Sequence, residues 1–81
     1  MNHTLLSMRV DYINMIFEER GYTKVLMLNY NPTRDTGRYY KLMTRNGDTV
    51  REIQGLRYHM NASEILAALN AMLITLTPEL I

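Results

Sequence analysis

The sequence predicts an α+β domain of helix, three-stranded antiparallel meander and helix, with both helices packed on one face of the sheet. Three observations carry that expectation. Leu6, Val10, Ile13 and Phe17 recur at steps of four, three and four residues, the period of a one-sided helix. Asn46-Gly47 separates two short segments rich in Tyr, Leu, Val and Ile, and such a pair is favoured in a two-residue hairpin turn. Asn61, with Glu64 three residues on, opens a nearly uncharged stretch in the way a capping box opens a helix. The 81 residues are expected to form one small domain, 1–81, since no repeat, low-complexity segment or linker divides them.

The first helix is expected from about Thr4 to Arg20. Thr4 or Asn2 can cap it, and Gly21 after Glu18-Glu19-Arg20 is a stop signal, because glycine enters the left-handed region freely. Leu5 and Ile16 widen the apolar stripe, and Met8, Tyr12 and Met15 read as its flank, extending the core or, as the alternative, exposed. Thr23 to Tyr30 is a short apolar run between Gly21 and Asn31-Pro32, which has the length and boundaries of a strand. Val25 and Met27 line one of its faces, and Leu26, Leu28 and Tyr30 the other. Two apolar faces predict a central strand, or one covered on both sides.

Asn31 to Gly37 is a polar connection, and Arg38 to Gln54 is the hairpin. A type I′ turn centred on Asn46-Gly47 sets Arg45 opposite Asp48, Thr44 opposite Thr49, Met43 opposite Val50, Lys41 opposite Glu52 and Tyr40 opposite Ile53. Tyr40, Leu42 and Ile53 then face the core, while Tyr39, Lys41, Met43, Val50 and Glu52 face solvent or a partner. Gly55 to Met60 leads into the second helix, 61–76. Ile65, Leu66, Leu69, Met72, Leu73 and Leu76 make its inner face. Pro78 ends it, with Leu80 and Ile81 packing one further turn.

Composition narrows the chemistry. With no cysteine there is no disulfide and no cysteine-ligated metal, and no cofactor is expected. The first ten residues lack the basic start and long apolar run of a signal peptide, and the last helix is too short to span a bilayer. A cytoplasmic, membrane-free protein is the expectation. The net charge of +1 disfavours a DNA mimic, but residues 24–59 alone carry +4 and the remainder −3. His3 and His59 have no third ligand at metal-binding spacing, Glu18-Glu19 are adjacent and so point to different sides of a helix, and Ser7 and Ser63 lack an activating base. All four glycines punctuate element ends rather than form a phosphate loop. Catalysis is not expected.

Surface contacts are. The second helix carries Ala67, Ala68, Ala71, Ile74 and Thr75 where a surface helix would carry Lys and Glu. Ala67, Ala71 and Thr75 form a ridge of small residues at four-residue steps, open to a second helix from a protein partner or from a homodimer twin. The alternative is nucleic acid, bound by stacking and phosphate contacts of Arg38, Tyr39, Lys41, Arg45, Arg51, Arg57 and Tyr58.

In element order and length the chain resembles double-stranded RNA-binding domains, which carry a lysine cluster at the start of their second helix. Here Asn61, Ala62, Ser63 and Glu64 stand at that place, so the resemblance does not extend to the phosphate grip. In build the chain is also similar to small phage-encoded proteins directed against host systems, anti-CRISPR proteins among them. Many of those are strongly acidic and this chain is not. That resemblance implies a binder that inhibits a host protein by direct blocking, in the host cytoplasm.

Overall fold

The computed structural model describes residues 3–32, 37–56 and 58–77. Helix α1 spans His3–Glu19, strands β1, β2 and β3 span Lys24–Tyr30, Tyr40–Asn46 and Thr49–Glu52, and helix α2 spans Ala62–Leu76. The strands form an antiparallel sheet in the order β1-β2-β3. Helix α1 packs on β1 and on α2, and α2 packs on β2. The expected α+β meander is therefore the observed one.

Local chemistry sets the helix ends. Beyond α1, the Gly21 N–H donates to the Glu18 carbonyl at 3.0 Å and the Tyr22 N–H to the Phe17 carbonyl at 2.9 Å. This is a Schellman motif, and Gly21 supplies its left-handed residue at φ +75°. The apolar contact that accompanies the motif is the Phe17–Tyr22 ring pair, with centroids 5.5 Å apart. At the start of α2 the expected capping box is present: the Glu64 N–H donates to Asn61 Oδ1 at 2.9 Å, and the Asn61 N–H to Glu64 Oε1 at 3.0 Å.

The core lies between the helices and one sheet face. Leu6, Val10, Ile13 and Phe17 of α1 meet Leu26, Tyr40 and Leu42 of the sheet and Met60, Ile65 and Leu69 at the other helix. Leu66, Met72, Leu73 and Leu76 pack around this cluster half-buried, as does Ile53. The two helices run in the same direction. His3 at the start of α1 stacks beside Tyr40, and Met60, just before α2, exchanges both backbone hydrogen bonds with Tyr40 at 3.0 and 2.7 Å. At the far end the Arg20 guanidinium donates to the Leu76 carbonyl.

Three expectations are corrected. The hairpin register is Asn46↔Thr49, Arg45↔Val50, Thr44↔Arg51 and Met43↔Glu52, so the turn pair is Gly47-Asp48 rather than Asn46-Gly47. Gly47 has φ +62° and no other described residue but glycine has positive φ. Glycine at the first central position with an ordinary second residue is the II′ pattern, not I′. The shift is two residues, and side chains alternate with period two, so every residue keeps its face. Tyr40 and Leu42 are buried as expected, and Lys41 still pairs with Glu52, now diagonally.

Second, β1 is an edge strand, not a central one. Its outer face is left open, with Val25 exposed and Met27 half-buried. Third, Met8, Tyr12 and Met15 do not extend the core. They stand 63%, 42% and 45% exposed, and Leu5, expected to widen the buried stripe, is also exposed. The further turn packed by Leu80 and Ile81 lies outside the described residues.

Candidate binding surfaces

Helix α1 carries two apolar stripes half a turn apart. Leu6, Val10, Ile13 and Phe17 face the core, while Leu5, Met8, Tyr12 and Met15 recur at three, four and three residues on the solvent side. That second spacing is the heptad pattern of a helix seam. On α2, Ala67 and Ile74 are exposed and uncharged, with Ile74 53% exposed. Because both helices lie on the same sheet face, these side chains share the outward side of one helical layer.

The five small or apolar residues expected to make an interface on α2 divide between two places. Ala67 and Ile74 point outward. Ala68 is half-buried against the core and, with Ala71 and Thr75, lines a groove on the other flank of the helix. The Thr75 hydroxyl donates to the Ala71 carbonyl at 3.0 Å and is thus already engaged.

The groove has a volume of 510 Å³. It exists because α1 covers β1 and α2 covers β2, while no helix among the described residues packs on β3. Leu26 and Thr44, inward-facing residues of β1 and β2, form its floor. Met72 and Leu76 stand with the alanines on one side, and Ile53 and Leu56 stand on the other. Phe17, Tyr22 and Lys24 close one end, the Lys24 ammonium lying 5.3 Å from each of the two ring centroids.

The basic and aromatic residues expected to form a nucleic-acid or partner surface are not brought to one face. Arg38 is bound to Glu64 at 2.8 Å and to the His59 carbonyl at 3.4 Å. Lys41 is paired with Glu52. Arg45, opposite Val50, lies on the open sheet face, and Arg51, opposite Thr44, lies on the helix side. Tyr39 is half-buried and meets Tyr30 edge-on at 6.2 Å, Tyr58 is exposed, and Arg57 lies outside the described residues.

Among the described residues two titrations are displaced. The Asn61 backbone N–H, followed by the Arg38 guanidinium, holds the Glu64 carboxyl below its ordinary value. Burial, followed by the nearby Tyr30, raises the Tyr40 phenol. Neither group is set beside a nucleophile. His3 is spent on the aromatic cluster with Tyr30 and Tyr40. No three His, Cys, Asp or Glu among the described residues converge as metal ligands, and no helix among them is long and apolar enough to cross a membrane.

Sequence periodicity assigned only one stripe of α1 to a contact and missed the groove. The 5-8-12-15 spacing was the available signal for the first. For the groove there was none, because its lining comes from four elements and the segments after α1 and β3. Compared with protein-family models, curated proteins and solved structures, the chain matches none.

Proposed function

We propose that this chain is a non-catalytic protein-interaction module whose contact surface is the outward side of its helical layer, and that it self-associates through that side. The observation that supports this reading is the set of exposed apolar side chains Leu5, Met8, Tyr12 and Met15 on α1 together with Ala67 and Ile74 on α2. Isolated exposed apolar residues are normal, but a row of them along a helix, with more on the helix packed beside it, is what interaction sites carry. A small core supplies few kcal/mol of its own, so burial of these side chains would also stabilise the fold. A module of this kind inhibits by occupying a partner's surface, as the likeness in build to phage-encoded blocking proteins implies.

Light scattering at low and high salt tests the proposal. A dimer mass indifferent to salt is expected. Met8→Lys combined with Ile74→Lys should return the monomer mass with an unchanged circular dichroism spectrum. A wild-type monomer at millimolar concentration, or a double variant that keeps the dimer mass, overturns it.

A further inference from the structure

We infer that the groove between α2 and the segment that follows β3 binds a monomeric anionic amphiphile, its apolar chain or ring in the groove and its carboxylate or phosphate head at Lys24. This rests on different residues from the proposed self-association surface and stands or falls separately. The groove's 510 Å³ lies within the roughly 300–1,000 Å³ range of small-ligand sites, and its lining is apolar apart from a few polar groups, as such sites require.

The charge at its end is the deciding feature. Lys24 makes no ion pair with any carboxylate among the described residues, yet its ammonium is held over the rings of Phe17 and Tyr22. A cation fixed by two aromatic faces at the mouth of an apolar trough is placed to receive an anion whose tail enters the trough. A second cation adjoins it: Lys24 also lines a smaller depression with Thr44 and Arg51. Arg51 likewise has no carboxylate partner among the described residues.

Length sets the scale of the tail. The groove follows α2 from Ala68 to Leu76, about 12 Å at the rise of a helix.

The test uses the full chain and amide chemical shifts, titrated with dodecanoate, dodecyl phosphate and dodecanol below their micelle concentrations. Both anions should shift Tyr22, Lys24, Thr44 and Leu56 saturably. Dodecanol should bind about tenfold more weakly, and Lys24→Gln should weaken the anions by a similar factor while leaving dodecanol unchanged. Ala68→Leu, which narrows the groove, should weaken all three. Absence of saturable shifts overturns the inference, as does equal binding of dodecanol and dodecanoate. Shifts centred on Met8, Tyr12 and Ile74 would place the ligand on the proposed self-association surface and overturn it too. Concentration-dependent shifts of the groove amides without amphiphile would mean that a second copy occupies the site, which also overturns it.

Discussion

Asn14 of α1 holds both backbone groups of Leu26 in β1: its Nδ2 donates to the Leu26 carbonyl at 2.9 Å, and its Oδ1 accepts from the Leu26 N–H at 2.7 Å. Leu26 is paired with Thr44 across the ladder, but its N–H and carbonyl face the open edge of the sheet. The carboxamide therefore stands where a fourth strand's peptide would stand. It satisfies one donor and one acceptor at a nearly fully buried residue, and it covers part of an edge that could otherwise recruit another chain.

Asn14→Ala should cost about 1–3 kcal/mol, because it leaves a buried N–H and carbonyl without partners. Urea unfolding measures the loss. The Leu26 amide should lose protection from hydrogen exchange more than its neighbours Val25 and Met27, which bond across the ladder. A uniform loss along β1 would mean that Asn14 acts only on global stability.

The observed hairpin turn makes opposite predictions for adjacent residues. Gly47→Ala forces an L side chain into φ +62° and should cost about 1–2 kcal/mol, with no clash contributing, since nothing lies within 4 Å of the added carbon. Asn46→Thr should stay within about 0.5 kcal/mol of wild type, because Asn46 is an extended strand residue. If Thr at 46 proves the more damaging, the turn is centred on Asn46-Gly47 after all.

Acid should weaken the start of α2. Glu64 titrates below its ordinary value of 4.5 when folded, so its stabilising contribution is full above the unfolded value. That contribution declines as pH falls through the folded value and vanishes below it. Glu64→Gln keeps the capping-box geometry but removes the ionised partner of Arg38. Its unfolding midpoint in urea should depend less on pH below neutrality than that of wild type.

Leu69 and Ile74 separate core from surface on one helix. Leu69 is fully buried, and Leu69→Ala should cost about 2–5 kcal/mol, enough to unfold much of a domain this small. Ile74→Lys should leave monomer stability within about 0.5 kcal/mol. Its effect should appear instead in the solution mass, as weakened self-association.

The local features were legible because they depend on residues within a turn or two of each other. Helical period, the Asn61–Glu64 box and the left-handed Gly21 stop each follow from short-range geometry, and together with the hairpin signal they determined the element order and the helices' common face. The inner faces of β2 and α2 were equally readable. The proposed α2 surface was only partly so, since Ala67 and Ile74 are exposed on the outer side while Ala68, Ala71 and Thr75 line the groove.

By itself, then, this sequence determined which segments are helix and strand and which alternation enters the core. Tertiary structure alone decided that the second apolar stripe of α1, Met8, Tyr12 and Met15, stays exposed. Both stripes satisfy a helical period, and the two elements that pack on α1, β1 and α2, meet it through the other one. It also decided the hairpin register, since a two-residue slip leaves every face unchanged and is invisible to a hydrophobic pattern. The groove belongs to the same class. Its walls come from separate elements, and it is left open because two helices cannot cover three strands.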